Sequence, residues 1–247
     1  MMLPSKTHPM ALPFFYISSY EAGQPEITLD EDNSRHIIQV LRMRTGEELQ
    51  LTDGKGALLT ATIVDDHKKK CRVKVSTAVS HPAKEQSVSI AISLLKNASR
   101  FEWFLEKATE IGVSEIIPLW CERTERHQVR QDRLHNILVS ALLQSQQTRM
   151  PLLRDPAPFA QYLPGVEQEQ RFIAHCLEAP RPTMSLTRAL ASPPASSRII
   201  LIGPEGDFSA KEVEMALEYR FTPVTLGENR LRTETAGIVA ATLLCLG

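Results

Sequence analysis

Two corners near the C-terminus, at which a strand passes through glycine into a helix, constrain the fold most. In the first corner, the apolar run 198–203 leads into Gly203-Pro204-Glu205-Gly206, and a helix is predicted over 210–219. Ser209 followed by Glu212 is a capping box, which fixes the start of that helix. Glycines at the end of a strand let the backbone approach a ligand closely. The alternative interpretation is a tight turn without a ligand.

The second corner follows the strand-like run 222–227. Thr233 is the predicted N-cap of the last helix, and Glu234 is favourable in its first turn because of the helix dipole. Residues 236–246 are apolar on every side, which predicts burial in the core or against a partner subunit. The loop before the helix carries two arginines, for which a solvated surface charge is the alternative to a ligand contact: Arg230 and Arg232.

The rest of the C-terminal part also alternates strands with helices, which indicates a mostly parallel sheet in an α/β fold. Further strands are predicted over 88–95, 115–120 and 171–177. Further helices are predicted over 101–112 and 133–147. Because parallel strands place their carboxyl ends at one edge, both glycine loops are expected together there, where open α/β sheets bind ligands.

The N-terminal part instead reads as short β-strands separated by glycine-containing and polar turns. Strands are predicted over 14–17, 47–52, 57–64 and 71–77, with one helical patch over 34–43. This pattern predicts a small β-rich barrel. We therefore divide the chain into a barrel domain, 1–76, and an α/β domain, 77–247. Residues 1–12 read as an extension, with Met10 as a possible true start.

Composition excludes several classes of protein. The chain has 28 Lys plus Arg and 29 Asp plus Glu, so its net charge of -1 excludes a globally basic nucleic-acid binder. The 4 cysteines form no CxxC pair, which indicates reduced thiols in a cytoplasm and no metal site. P-loop and dinucleotide fingerprints are missing from the sequence. No apolar run reaches the roughly 20 residues of a membrane helix, and the first residues lack a secretory leader pattern.

Basic residues nevertheless cluster locally, and such clusters predict phosphate contact. One cluster comprises Arg35, Arg42 and Arg44, and another spans 68–74. A third comprises Arg123, Arg126, Arg130, Arg133, Arg149 and Arg154. A solvated face is the alternative for each cluster, and the neighbouring Asp65 and Asp66 favour it for 68–74.

Five stretches together resemble the SPOUT-superfamily methyltransferases that modify N3 of a uridine in small-subunit (16S) ribosomal RNA. They are KNASRFEWFLEKATEIGV (96–113), CERTER (121–126), QSQQTR (144–149), IGPEGDFS (202–209) and LGENRLRTETA (226–236). The resemblance implies an N-terminal PUA-like RNA-binding barrel and a C-terminal α/β methyltransferase domain with a parallel sheet and a trefoil knot. It also implies a homodimer, S-adenosylmethionine as cofactor, 16S rRNA or the small ribosomal subunit as partner, and neither metal nor membrane.

The resemblance assigns roles to individual residues. It implies a cofactor pocket lined by Leu177, Glu178, Gly203, Glu205, Gly206, Leu226, Gly227, Leu231, Arg232, Thr233, Thr235 and Ala236. It implies RNA contacts from Arg35, Arg42, Arg44, Arg123, Arg126 and Arg149. Three positions depart from the family pattern: Asp207 replaces a second glycine, Arg230 an aliphatic residue, and Gln147 an arginine.

Methyl transfer to uracil N3 requires loss of a weakly acidic proton and stabilisation of an anionic base. Arg232 is the candidate that would stabilise charge on O2 and O4, because a guanidinium donates hydrogen bonds but is not a base at neutral pH. Glu234 or Glu205 would bind the cofactor or the loop first, and accept the proton second. A non-catalytic RNA-binding or ribosome-assembly protein and a methyltransferase acting on another RNA are the alternatives.

Overall fold

The computed structural model of the protein describes residues 12–125, 128–176, 184–191 and 195–246. The chain forms two compact units. Of the described residues, the first unit contains those from 12 to 83 together with Gln146–Arg149, and the second contains those of Lys84–Ser145 and those from Met150 onward. The expected domain boundary at residue 76 lies inside a strand that continues to Ser80, so the units divide later in the chain.

The first unit is built on a five-stranded sheet and a short helical segment. Its elements are β1 (Phe14–Tyr16), β2 (Glu26–Thr28), α1 (Glu31–Arg35), a π-helical turn (His36–Val40), β3 (Glu48–Thr52), β4 (Ala57–Asp65) and β5 (Arg72–Ser80). The strands pair in the order β1-β3-β4-β5-β2, and each pairing except β1 with β3 is antiparallel. Alternate residues of β4, namely Leu59, Ala61 and Ile63, are buried because successive side chains point to opposite faces.

The helical segment of this unit begins earlier and ends earlier than the predicted patch 34–43. Asp30 is the N-cap, and its carboxylate accepts a 2.8 Å hydrogen bond from the backbone N–H of Asn33. The helical path stops at Val40 because Arg42 adopts a left-handed backbone with φ of 59°. Strand β2 was not predicted, because a short strand flanked by proline and charge carries little pattern.

The segment Gln146–Arg149 belongs to the first unit although the chain around it belongs to the second. The backbone N–H of Gly56 donates to the carbonyl of Thr148 at 2.8 Å, and the Arg149 guanidinium donates to the carbonyl of His81 at 2.7 and 3.1 Å. A Cβ at Gly56 would lie 2.5 Å from that carbonyl, so glycine is required there. The predicted helix 133–147 was therefore wrong at its end, where Gln146 has φ of 53°.

The second unit is an α/β structure. Its strands are β6 (Ser87–Ser93), β7 (Glu115–Trp120), β8 (Leu152–Leu153), β9 (Ala157–Pro158), β10 (Gln170–Ala174), β11 (Met184–Ser185), β12 (Ser197–Ile202) and β13 (Thr222–Thr225). Its helices are α2 (Ala98–Ile111), α3 (Gln131–Gln144), α4 (Phe159–Tyr162), α5 (Leu186–Ala189), α6 (Ala210–Glu218) and α7 (Thr233–Leu246). The strands just named form one parallel sheet in the order β11-β13-β10-β12-β6-β7-β8, with β9 also paired to β7.

Helices cover both faces of this sheet, as the continuous apolar strands predict. On one face, Ile90 and Ile92 pack in a cluster with Phe104 of α2 and Leu244 of α7. On the other face, Ala91 and Leu201 pack in a cluster with residues of α4 and α6. A membrane span would need a longer apolar helix than any in the described part of the chain.

Helix α7 packs closely against α2 and β6 through a glycine. A Cβ at Gly237 would lie 2.7 Å from Cε2 of Phe104 and 2.9 Å from Cδ1 of Ile92. Contacts that short do not occur between real side chains, so a side chain at this position would push the helices apart. The predicted burial of this helix is confirmed along that face, where Gly237, Ala240, Ala241 and Leu244 are buried.

Candidate functional site

The two glycine loops lie at the same edge of the parallel sheet. They follow β12 and β13, which run parallel to β10 on either side of it. With one strand between them, the two loops start about 10 Å apart, since neighbouring strands are about 4.8 Å apart. The expectation that both corners meet at one edge is therefore confirmed.

The loop after β12 is a tight turn held by packing as well as by hydrogen bonds. The backbone N–H of Asp207 donates to the carbonyl of Pro204 at 2.9 Å. A Cβ at Gly203 would lie 3.1 Å from the ring and the backbone nitrogen of Phe208, which is fully buried. The predicted capping box of Ser209 and Glu212 is present at the start of α6.

Two neighbouring segments hold this loop from outside. One carboxylate oxygen of Asp207 accepts a 2.8 Å hydrogen bond from the backbone N–H of Cys176, just after β10, and the other accepts from the N–H of Phe208 at 2.8 Å. The guanidinium of Arg123 donates to the carbonyl of Gly206 at 2.6 Å. Asp207 has φ of 63°, a left-handed conformation that glycine adopts with less strain than a residue with a side chain.

The corner between β6 and α2 contacts both ends of the site. The backbone N–H of Lys96 donates to Oε1 of Glu205 at 3.3 Å, and Nζ of Lys96 lies 2.7 Å from the carboxylate of Glu125. Four residues after Lys96, Nε of Arg100 lies 3.6 Å from Oε1 of Glu234 in the first turn of α7. One short segment therefore connects the loop after β12 with the helix after β13.

Glu234 is a buried carboxylate with one unpaired oxygen. The residue is 6% exposed, and its Oε2 has no hydrogen-bond partner among the described residues. A buried oxygen of this kind is costly unless a partner satisfies it. Arg100 was not singled out by the sequence, and its presence in the KNASR stretch was the one signal that could have indicated it.

The loop after β13 is closed by a hydrogen bond from the side chain of Thr225. The hydroxyl of Thr225 donates to the carbonyl of Gly227 at 2.8 Å, and Gly227 has φ of 147°. Helix α7 begins at Thr233, and its first intrahelical bond runs from the N–H of Ala236 to the carbonyl of Arg232 at 2.8 Å. Thr233 is therefore the first helical residue and not the predicted N-cap, a position that Arg232 occupies instead.

The predicted cofactor residues that the structure describes fall on these two loops and the start of α7. Gly203, Glu205 and Gly206 follow β12, whereas Leu226, Gly227, Leu231, Arg232, Thr233, Thr235 and Ala236 follow β13. Arg230, Leu231 and Arg232 are exposed. Leu177, Glu178 and Arg126 lie outside the described residues.

The predicted RNA-contacting arginines have different environments. Arg35 pairs with Glu31 at 2.7 Å, and Arg44 lies 3.8 Å from Asp66. Arg123 binds the loop after β12, and Arg149 binds the carbonyl of His81. Arg42 makes no ion pair with any residue that the structure describes. Among the described residues, no three His, Cys, Asp or Glu side chains are grouped closely enough to hold a metal ion.

Burial raises the pKa of Cys121, which lies two residues before Arg123. Desolvation, together with the nearby carboxylate of Glu212, raises the pKa of its thiol to about 12. Burial likewise raises the pKa of Cys71 to about 11 in the first unit. All 4 cysteines are free, as the sequence predicted.

Comparisons with known proteins match both units. The family described as RNA methyltransferase PUA domain matches residues 29–76, and the family described as RNA methyltransferase domain matches residues 82–245. The chain is similar to ribosomal RNA small subunit methyltransferase E from Rickettsia conorii, with 28% identity over 230 residues that cover 91% of each protein.

Solved structures agree with these matches. A probable rRNA-methyltransferase from Porphyromonas gingivalis has a TM-score of 0.86 and 39% identity, over 95% of this chain and 99% of that one. Ribosomal RNA small subunit methyltransferase E from Neisseria gonorrhoeae, bound to S-adenosyl methionine, has a TM-score of 0.77 and 27% identity, over 93% and 95% of the two chains. The chain therefore belongs to the RNA methyltransferase family, with a PUA domain followed by a methyltransferase domain.

Proposed function

We propose that this protein methylates N3 of a uridine in 16S ribosomal RNA, with S-adenosylmethionine as methyl donor. The observation that carries the proposal is the placement of two glycine loops at one sheet edge, in a chain of the RNA methyltransferase family. Relatives named ribosomal RNA small subunit methyltransferase E, one of them bound to S-adenosyl methionine, support the substrate and the cofactor.

The residues at the edge fit this cofactor. Gly203 and Gly206 make room for the side chains of Phe208 and Arg123, and Arg123 and Asp207 fix the position of the first loop through hydrogen bonds. The second loop and the start of α7 supply Leu226, Gly227 and the residues Leu231–Ala236. The unpaired Oε2 of Glu234 is a buried acceptor that a ligand hydroxyl or amine would satisfy.

The bound cofactor would supply an electrophilic methyl group on a sulfonium. This chain would supply orientation and charge stabilisation. Arg232 lies in the exposed loop that leads into α7, so its guanidinium is free to reach a base and to donate to O2 and O4 of the uracil anion. Glu205 is held by the N–H of Lys96, and Glu234 by Arg100, so both serve first as positioned acceptors and second as proton acceptors.

The target uridine would have to leave its stack to reach the edge. Arg35, Arg42 and Arg44 of the PUA domain would contribute salt-sensitive positioning without reading base identity. The remaining features implied by the resemblance complete the proposal: a trefoil knot around the cofactor, a homodimer and a cytoplasmic location.

The deciding experiment is mass mapping of modified nucleotides in ribosomal RNA from cells with and without this protein. A single methyluridine in 16S rRNA that disappears with the gene and returns with the purified protein and S-adenosylmethionine is the expected result. A lost methyl group in another RNA would identify a different substrate. Bound S-adenosylmethionine without methyl transfer to any RNA would indicate a non-catalytic role.

A further inference from the structure

The first unit exposes two adjacent apolar side chains at the end of its helical segment. Val40 is 65% exposed and Leu41 is 43% exposed. They lie between anchored residues, because Ile37 and Ile38 before them and Met43 after them are buried. The anchors hold the backbone, so the exposure of this pair is a fixed feature of the surface. Contiguous exposed apolar surface, larger than one such pair, is what marks binding sites, so the neighbouring residues decide what this pair can bind.

Arg42, the next residue, is held in a left-handed conformation with φ of 59°. Backbone bonds on either side fix this geometry: the N–H of Leu41 donates to the carbonyl of His36 at 2.9 Å, and that of Met43 to Ile37 at 3.0 Å. A glycine would adopt this conformation without strain, whereas an arginine pays for it in stability. Strained residues of this kind are found disproportionately at functional sites, and π-helical turns are too.

The charge of Arg42 is also available. Among the described residues it has no ion-pair partner, whereas Arg35 on the same helical segment is paired with Glu31. Arg44 is 3.8 Å from Asp66 and keeps a side chain that is 67% exposed. The surface therefore presents an apolar pair beside an unneutralised guanidinium. An unstacked nucleotide has the complementary features, namely an apolar base face and an adjacent phosphate.

We propose that Val40, Leu41 and Arg42, the Val40–Arg42 tip, form a nucleotide-binding element of the PUA domain. Val40 and Leu41 pack against the face of an unstacked base, and Arg42 contacts a neighbouring phosphate. This inference rests on the proposed function for the class of ligand. It adds an apolar contact that would hold one nucleotide in place, in addition to the general attraction of basic residues for the RNA backbone.

The test is the binding of fluorescently labelled 16S rRNA, transcribed in vitro, by the full chain over a range of salt concentrations. The double variant Val40→Ser/Leu41→Ser should bind roughly tenfold more weakly, with the same slope of log affinity against log salt, because it removes only an apolar contact. Arg42→Ala should reduce that slope by about 1, because one phosphate contact is lost. Arg42→Gly should weaken binding similarly while raising the melting temperature, because the strain is relieved.

Two matched controls lie in the same unit. Val79 on β5 is 50% exposed, and Val79→Ser should leave RNA affinity unchanged. Arg72→Ala removes an arginine whose charge is already paired with Glu26 and Asp65, and it should change the slope less than Arg42→Ala does. Tip variants that bind like the controls, while the wild type binds and methylates 16S rRNA, would overturn this inference and leave the proposed function intact. A wild type that neither binds nor methylates the RNA would overturn both.

Discussion

Asp207 joins the loop after β12 to the segment after β10, because its carboxylate accepts a 2.8 Å hydrogen bond from the backbone N–H of Cys176. It does so from a left-handed backbone with φ of 63°, which a side chain adopts at a cost. The carboxylate thus compensates for a residue that is sterically unfavourable at this position.

Replacing Asp207 by glycine separates the effect of its hydrogen bond to Cys176 from the effect of its strained backbone. Asp207→Gly should change the melting temperature little, because relief of strain offsets the lost hydrogen bonds, each worth about 1 kcal/mol. It should weaken S-adenosylmethionine binding several-fold, as measured by calorimetry, because the loop is no longer tied to Cys176. Asp207→Asn keeps one acceptor oxygen and should give an intermediate affinity. Equal affinities for all three proteins would show that the bond does not position the loop.

Arg232→Ala should abolish methylation of 16S rRNA while leaving the circular dichroism spectrum and the oligomeric state unchanged. The side chain is exposed before α7, so its loss should leave the fold unchanged and remove stabilisation of the transition state. Single-turnover assays with labelled cofactor measure the rate. The matched control is Arg230→Ala in the same exposed loop, which should keep most activity; near wild-type turnover of Arg232→Ala would refute its assigned role.

Arg100 and Glu234 form an ion pair whose members differ in exposure: the Arg100 side chain is 39% exposed and that of Glu234 is 8% exposed. Arg100→Ala should lower the free energy of unfolding by about 1–3 kcal/mol, because it leaves a buried carboxylate without a counter-charge. The double variant Arg100→Ala/Glu234→Gln should recover part of this loss. Urea denaturation measures both values.

The exposed pair of Lys96 and Glu125 is the control for that experiment, because both side chains are more than half exposed. Lys96→Ala should cost less than about 1 kcal/mol. If Arg100→Ala costs no more than Lys96→Ala, the buried carboxylate does not depend on its arginine.

Gly237→Ala should destabilise the methyltransferase domain by about 1–3 kcal/mol, because the added methyl group would overlap Phe104 and Ile92. Thermal or urea unfolding provides the measurement. Gly165→Ala is the comparison, because a Cβ there meets nothing within 4 Å. An equal effect at both positions would mean that α7 does not pack as closely as described.

Stability should fall as the pH rises above about 9, in part because of Cys121. In the folded protein its pKa is about 12, whereas in the unfolded chain a thiol ionises near pH 8.5. The unfolded state therefore loses this proton first, and the contribution of Cys121 to the free energy of unfolding decreases by about 1.4 kcal/mol per pH unit in this range. Urea titrations in reducing buffer at several pH values should show a shallower decline for Cys121→Ala. An identical decline would assign the pH dependence to other groups.

Local patterns in the sequence predicted the longer strands of both units, because β-branched runs and glycine corners reflect the conformation of the nearby backbone. The short strands β2, β8, β9 and β11 were not predicted. The capping box at Ser209 and the shared edge of the two glycine loops were predicted for the same reason. Contacts between distant segments were not predictable. Neither the position of β10 between β12 and β13 nor the bond from Asp207 to Cys176 leaves a local signal in the chain.

The end of helix α3 illustrates this limit. A good helical pattern continues through Gln147, yet the helix stops at Gln144 because Gln146–Arg149 form part of the first unit. The carbonyl of Thr148 accepts a hydrogen bond from the N–H of Gly56, and the guanidinium of Arg149 donates to the carbonyl of His81. Both partners are far away in sequence. Long-range partners therefore override the local preference for helix.

The same four-residue segment, Gln146–Arg149, also limits how this protein can be rearranged. A fragment that stops at Ala83 would leave the amide of Gly56 and the carbonyl of His81 without their partners. The PUA domain is consequently not encoded by one continuous segment that could be moved on its own. Recombination that moves it into another gene has to bring along a stretch encoded well inside the enzyme domain, which would tend to keep the two inherited together.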